Sequence, residues 1–210
     1  MHEVVSVYEA IRRRRDVRAE FTGEVVDETT LWWLLGAAHR APSVGNSQPW
    51  DFVVVREQAT LRRFADHVAQ RRVEFRNALP PERAATFEPI KIEGILESGT
   101  GIVVCYDHDR GGPQVLGRAT VPETGVYSAV LAIQNLWLAA TAEGVGVGWV
   151  SFYDPDFLAD LIGLPEGIRP VAWLCVGPVH QFQDIPDLER FGWRAGRPLT
   201  DAVHRETYRG

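Results

Sequence analysis

The chain has 210 residues, of which 45% are hydrophobic, and its formal net charge is −6. This length allows one domain, residues 1–210, to bury about two-thirds of its unfolded surface. The negative charge and a pI near 5.5 exclude broad binding to nucleic acid or anionic membranes, since both require a dominant positive field. Cys105 and Cys175 lie alone in apolar runs, and the histidines lack metal-binding spacing, so we expect buried thiols and no metal site.

The N-terminal half predicts two helices and one strand. Ser6 and Glu9 have the spacing of a capping box, which starts a short helix that ends near an arginine run. Asp27 precedes apolar residues at helical spacing, and the second helix is expected to stop at Pro42. The β-branched run that begins at Asp51 predicts a buried strand.

The remainder of the chain predicts a mixture of further helices and strands. Residues 58–97 are charged and helix-prone, with prolines as breaks. The predicted strands are GIVVCYD, VGVGWVSF and VAWLCVGP, and DPDFLADLIGL predicts a short helix with Asp154 as its cap. The elements lack strict βαβ alternation, so the predicted fold class is α+β.

Residues 126–143 are apolar nearly all round, which predicts a helix in the core or between subunits and hence a homodimer. Polar residues interrupt the run, and we interpret it as too short and too polar for a membrane span. Since the N-terminus also lacks an apolar run of signal-peptide type, we expect a cytoplasmic protein.

Five arginines surround one aspartate in the stretch RRRRDVR. Arg12 and Arg13 are interpreted as a solvated basic helix end, which the helix dipole favours. The turn that follows can direct the guanidinium groups of Arg14, Arg15 and Arg18, here called the arginine cluster, toward one phosphate. A basic cluster in an acidic protein therefore predicts a small phosphate ligand.

Two further stretches have unusual compositions. APSVGNSQPW, residues 41–50, is too polar for a core strand and too apolar for a solvated loop, and we interpret it as a surface built for a ligand. GVGVG, residues 144–148, follows a predicted helix and precedes a predicted strand, the reverse of a dinucleotide-binding loop. Gly144 is therefore interpreted as a helix terminator.

The tryptophans divide by predicted position. Five are expected to pack in core elements: Trp32, Trp33, Trp137, Trp149 and Trp173. Trp50 and Trp193 flank loops, where packing and contact with a ligand ring are both open.

Three segments together resemble the flavin-dependent nitroreductase superfamily: IRRRRDVRAEF, HRAPSVGNSQPWDFVVV and VYSAVLAIQNLWLAATAEGVGVGWVSFYD. The resemblance runs from about Tyr8 to Leu199. More narrowly, the chain is similar to the 5,6-dimethylbenzimidazole synthases, which make the lower ligand of vitamin B12 by destroying a flavin. The resemblance implies an α+β fold with a central, mostly antiparallel sheet, an intertwined homodimer, and FMN bound at the subunit interface.

The resemblance also implies residues that bind FMN. In the superfamily the segment matching APSVGNSQPW lies along the flavin, so Ser43 and Gln48 are expected to hydrogen-bond to the nucleotide. Gly45, which has no Cβ, would let the backbone approach the ring. The arginine cluster matches the phosphate clamp, which Arg194 or Arg197 from the C-terminal tail is expected to join.

Two residues distinguish the synthases within the superfamily. Ordinary nitroreductases usually read RRS where this chain reads RRD, and Ser151 in GWVS matches a second synthase feature. The resemblance implies that Asp16 is the catalytic base and that Ser151 orients the flavin or oxygen. In contrast, the Asn46 and Ser47 that precede QPW resemble general nitroreductases, because the synthase pattern has Met directly before QPW.

Three activities follow as hypotheses. The first is oxygen-dependent cleavage of reduced FMN, with FMN as substrate and a separate flavin reductase as its source. The second is an NAD(P)H-dependent nitroreductase that keeps FMN bound, and the third is flavin storage. Residues 71–98, here called the lid region, are long enough to close over the flavin and exclude nicotinamide. The iodotyrosine deiodinase type is set aside because residues 58–97 contain no tyrosine for its lid.

Overall fold

Four antiparallel strands form the sheet in the computed structural model, which describes residues 5–208. The strands are β1 (Trp50–Val55), β2 (Gly101–Asp107), β3 (Val145–Val150) and β4 (Ile168–Pro178). Their order is β1-β2-β4-β3, and each neighbouring pair is antiparallel. This arrangement confirms the predicted α+β class and the antiparallel sheet.

The helices that flank the sheet begin largely where the sequence predicts. They are α1 (Val7–Arg13), α2 (Glu28–His39), α3 (Gln58–Ala78), α4 (Pro81–Phe87), α5 (Ile95–Ser98), α6 (Thr124–Ala142), α7 (Pro155–Ile162) and α8 (Asp187–Arg190). The side chain of Ser6 accepts a hydrogen bond from the Glu9 N–H at 3.2 Å, and Asp27 caps α2 in the same way. Gly144 follows α6 with a φ of +73°, which fits its interpretation as a terminator.

The sheet has a hydrophobic core on each face because consecutive strand residues point to opposite sides. Ile102 and Val104 pack with residues of α2 and α6. Val103 and Cys105 pack on the other face with residues of α3, α5 and α7. Burial raises the pKa of the Cys105 thiol to about 12, so this cysteine is an inert core residue, as predicted.

Helix α6 lies across one face of the sheet and is only partly covered. Its 19 residues meet the length and hydropathy of a membrane span, contrary to the expectation from the sequence. However, Ala132, Ile133 and Leu136 are buried in the hydrophobic core, so α6 is a core helix of this fold. Tyr127 and Leu131 on the same helix are 55% and 45% exposed.

The tryptophans of α2 differ from their prediction. Trp173 is fully buried as expected, but Trp32 and Trp33 are 70% and 65% exposed, so the prediction that they pack in the core of this chain is wrong. The core contacts of α2 are made by Leu31 and Leu34. Since α2 is apolar on more than one face, periodicity alone does not show which face packs.

Candidate active site

A cavity of about 810 Å³ is lined by the segment after α1, the end of β3 and the C-terminal tail. Its lining contains the arginine cluster of Arg14, Arg15 and Arg18, together with Asp16 and Ser151. Half of the predicted site residues, from distant parts of the chain, therefore share one cavity.

The segment after α1 is fixed because it extends the sheet. Strand β3 pairs with β4 on one side only, which leaves its other edge free to pair. Asp16 forms a parallel bridge with Val147, and the N–H of Val17 donates to the carbonyl of Val147 at 3.0 Å. Val17 is buried against this edge. The backbone thus holds Asp16 in a defined register at the cavity.

The carboxylate of Asp16 is held by two groups. Its Oδ1 accepts a hydrogen bond from the N–H of Trp149 at 2.9 Å. Both carboxylate oxygens also accept from the guanidinium of Arg18, as a bidentate ion pair. The Asp16 side chain remains 45% exposed, so a carboxylate of fixed orientation faces the cavity with lone pairs available for a proton.

Arg14 and Arg15 retain donors that no protein group uses. The Arg14 guanidinium lies over the Trp137 ring, 5.1 Å from its centroid, and makes no hydrogen bond within residues 5–208. Arg15 donates through Nη1 to the carbonyls of Arg12 and Arg14, at 2.9 and 2.7 Å, and through Nη2 to that of Asp184. Its Nε is buried and has no partner in the described part of the chain. A small anion in the cavity could bind the Arg14 guanidinium without displacing a protein partner.

Four aromatic rings form an apolar wall of the cavity, here called the aromatic wall: Phe75, Phe87, Phe152 and Trp193. The ring centroids of Phe75 lie 5.1 Å from Phe87 and 5.3 Å from Phe152. Arg83 lies 3.7 Å from the Trp193 ring centroid and donates to the Trp193 carbonyl at 3.2 Å. These contacts tie the lid region to the C-terminal tail.

The lid region therefore contributes to the cavity through Phe75 and Phe87, and Lys91 also lines it. The sequence alone did not single out Phe75, Phe87 or Phe152. The available signal was the placement of phenylalanines in a strongly charged region and directly after Ser151, but that signal does not distinguish packing from ligand contact. Trp193 lines the cavity, whereas Trp50 is buried and donates to His39.

The other predicted flavin ligands do not line this cavity. Ser43 and Gln48 flank the 3₁₀ turn Val44–Asn46, where the Ser43 hydroxyl accepts from the Gln48 N–H at 3.0 Å. Gly45 has a φ of +54°, and a Cβ there would lie 2.7 Å from Val115 Cγ1. This contact alone explains a glycine at position 45, and its approach to the flavin stays a prediction.

The tail arginines also lie outside the cavity lining. The N–H of Arg194 donates to the Leu188 carbonyl at 3.1 Å, and the guanidinium of Arg197 donates to the Asp201 carbonyl. Their predicted role in the phosphate clamp stays untested. Arg14 is the member of the predicted clamp whose guanidinium lines the cavity and makes no hydrogen bond within residues 5–208.

Comparisons with known proteins agree with this fold. The model of the nitroreductase family matches residues 11–178. A 5,6-dimethylbenzimidazole synthase from Rhodospirillum rubrum is 43% identical over 185 residues, covering 88% of this chain and 87% of the relative. A 5,6-dimethylbenzimidazole synthase from Rhodobacter capsulatus is 35% identical over 190 residues, covering 90% of this chain and 91% of the relative.

The solved structures share the fold at lower sequence identity. Iodotyrosine deiodinase bound to FMN and 3-iodo-L-tyrosine superposes with a TM-score of 0.75 at 20% identity, covering 97% of this chain and all of that one. That likeness concerns the fold alone. The family match spans most of the chain, and the chain therefore belongs to the nitroreductase family.

Proposed function

We propose that this protein is a 5,6-dimethylbenzimidazole synthase that cleaves reduced FMN with oxygen, giving dimethylbenzimidazole and a four-carbon sugar phosphate. The observation that carries the proposal is the meeting of Asp16 and Ser151, from distant parts of the chain, in one cavity with the arginine cluster. The similarity to relatives named as this synthase supports the same activity over an ordinary nitroreductase.

The cavity fits FMN in size and in chemistry. Its volume of about 810 Å³ lies in the range of small-molecule sites. The Arg14 guanidinium, which makes no hydrogen bond within the described residues, would hold the phosphate, and Arg15 lines the cavity beside it. The aromatic wall offers apolar rings for a planar ligand. Reduced FMN supplies both the electrons for oxygen and the carbon skeleton that is cleaved.

The residues of the chain would divide the remaining work. The Asp16 carboxylate, held by Trp149 and Arg18, accepts a proton as general base. The Ser151 hydroxyl, exposed at the cavity, orients the flavin or the oxygen. The aromatic wall excludes bulk water from reactive intermediates.

The proposal includes two partners and a location. Trp32, Trp33, Tyr127 and Leu131 expose apolar area on α2 and α6, which supports an intertwined homodimer with FMN at its interface. A separate flavin reductase would supply reduced FMN. A cytoplasmic location, expected from the sequence, belongs to the same proposal.

One experiment tests the activity. The protein is given reduced FMN in air, and the products are separated by chromatography. Formation of dimethylbenzimidazole supports the synthase. Steady NAD(P)H consumption with a nitroaromatic acceptor would indicate the reductase, and simple reoxidation of FMN would indicate storage, so either result without dimethylbenzimidazole overturns the proposal. Light scattering that shows a stable monomer at micromolar concentration would contradict the homodimer.

A further inference from the structure

We infer that Arg18 is a positioning residue that holds Asp16, and that recognition of the FMN phosphate falls to Arg14. The inference rests on the proposed function for the role of Asp16. It departs from the phosphate role that the sequence assigns to Arg18, and it depends on how many donors each arginine has left.

The terminal nitrogens of Arg18 are fully used. A guanidinium has five N–H groups, four of them on its two terminal nitrogens. Nη1 donates to Asp16 Oδ1 and to the Val17 carbonyl at 3.2 Å. Nη2 donates to Asp16 Oδ2 and to the Trp149 carbonyl at 2.9 Å. A bidentate phosphate contact needs two parallel N–H groups, so Arg18 could make one only by releasing a present partner.

Gly148 provides the space in which Arg18 lies. A Cβ at this position would lie 2.7 Å from Arg18 Nη1 and 2.1 Å from the carbonyl oxygen of Val17. The Arg18 side chain is only 12% exposed in this space. Strand β3 therefore carries a glycine where the guanidinium crosses it. This steric requirement accounts for one glycine of the GVGVG stretch without a nucleotide contact.

Arg14 shows the opposite pattern. Its guanidinium lines the cavity and makes no hydrogen bond within residues 5–208. Arg15 also lines the cavity, but its terminal nitrogens donate to three carbonyls and its Nε is buried. An incoming phosphate would gain hydrogen bonds from Arg14 without breaking existing ones, whereas a bidentate contact with Arg18 would release a present partner.

Fixing Asp16 matters because its side chain is 45% exposed and would otherwise rotate. The N–H of Trp149 binds one carboxylate oxygen, which alone leaves the plane of the group undetermined. The planar fork of Arg18 binds both oxygens and sets that plane. General-base catalysis is sensitive to such placement, so we expect loss of Arg18 to lower turnover more than binding.

The test compares Arg18→Gln and Arg18→Lys with Arg14→Gln. Binding of oxidised FMN and of riboflavin is measured by flavin fluorescence, and kcat and KM are measured with reduced FMN in air. Arg18→Gln should keep the FMN-to-riboflavin affinity ratio within about 2-fold and lower kcat about 100-fold, as a misplaced catalytic group does. Arg14→Gln should lower the affinity ratio about 10-fold or more, the loss of a charged hydrogen bond. Arg18→Lys should recover only part of kcat, because an ammonium cannot form the fork.

Two results would overturn the inference. If Arg18→Gln loses the preference for FMN as Arg14→Gln does, Arg18 binds the phosphate. If either Arg18 variant retains the kcat of the unmodified protein, Arg18 does not position the base, and Arg18→Lys decides this point should Arg18→Gln fail to fold.

A failure of the proposed function would be recognised separately. If the unmodified protein makes no dimethylbenzimidazole, that proposal fails, but the affinity ratios still show which arginine binds phosphate. Urea unfolding of Asp16→Asn, Arg18→Gln and the double variant then tests the pair. Non-additive losses of unfolding free energy support the Asp16–Arg18 contact, and additive losses contradict it.

Discussion

Residues 14–18 and residues 43–48 both follow a helix, but they are held in different ways. The first segment lies extended along the free edge of β3, and its anchoring groups, Asp16 and Arg18, also line the cavity. The second folds on itself as a 3₁₀ turn with positive φ at Gly45, Asn46 and Gln48. The unusual backbone conformation of this turn therefore fixes the shape of the second segment. A flavin contact from the second segment would have to be made outside the cavity of its own chain.

The largest expected effect concerns the first segment. Asp16→Asn keeps the shape of the side chain and removes the base, so kcat for dimethylbenzimidazole formation should fall by a factor of about 100 to 10,000. Binding of oxidised FMN should stay near normal, as measured by fluorescence titration.

Asp51 provides a matched control for this variant. It also forms a bidentate pair with an arginine, Arg110, and its side chain is 43% exposed, but it does not line the cavity. Asp51→Asn should therefore leave kcat nearly unchanged. Equal losses of kcat in the two variants would mean that Asp16 acts through its ion pair and is not the base.

The second prediction tests whether residues 43–48 serve the cavity of another copy. Gln48→Ala and Asp16→Asn should each be poorly active alone. If Gln48 reaches the flavin of a partner subunit, a heterodimer of the two variants has one site with both defects and one intact site. Random mixing by unfolding and refolding should then restore about one quarter of the unmodified activity.

The same mixture distinguishes the alternative. If Gln48 serves the cavity of its own chain, every site in the heterodimer carries one defect, and the activity should not exceed the average of the two variants. Mixing Asp16→Asn with Ser151→Ala supplies the control, because both residues line the same cavity and should give no recovery.

The two segments also show what could be predicted from the sequence. The strands, the helix caps at Ser6 and Asp27, and the shared location of Asp16 and Ser151 followed from local patterns and the resemblance. Trp32 and Trp33 did not, because a helix that is apolar on several faces does not reveal which face its own chain covers.

The contacts of Arg18 were also beyond a local pattern. An arginine beside an aspartate can bind a phosphate or that aspartate, and the spacing in RRRRDVR is compatible with both. The deciding partners, the carbonyl of Trp149 and the space above Gly148, come from a distant strand. The same holds for the aromatic wall, whose rings come together only after the lid region packs against the tail.

The third prediction concerns the conformational anchor of residues 43–48. Gly45→Ala places a Cβ at positive φ, and that Cβ would lie 2.9 Å from the Leu116 nitrogen. Gly144→Ala is the matched control, since its φ is +73° but nothing lies within 4 Å of the added Cβ. We expect urea unfolding to give losses of about 1 kcal/mol for Gly144→Ala and about 2 kcal/mol or more for Gly45→Ala. Equal losses would show that contacts with the neighbouring loop do not hold this turn.

The smallest expected effect concerns the turn that follows Ser151, which shares the cavity with Asp16. This turn is held by a titratable group, His67. The N–H of Asp154 donates to His67 Nε2 at 3.0 Å, and the His67 ring stacks on Phe157. Burial lowers the pKa of His67 below its ordinary value of 6.5, and the nearby charge of Arg71 acts in the same direction. The folded chain therefore favours the neutral ring, which can accept this hydrogen bond.

The sign of the pH effect follows from this preference. Below about pH 6.5 the unfolded chain binds a proton at His67 more readily than the folded chain does. The stabilisation that the folded chain gains from a neutral His67 is complete above that pH. It is lost as the pH falls through the lower pKa of His67 in the folded chain. His67→Gln should keep an acceptor for the Asp154 N–H without titrating. Urea unfolding is measured at about pH 7.5 and about pH 5.5. On going to the lower pH, the unmodified protein should lose more free energy of unfolding than His67→Gln does. Equal losses would mean that the turn after Ser151 does not depend on the charge of His67, and that it is fixed by backbone contacts in the way that residues 14–18 are.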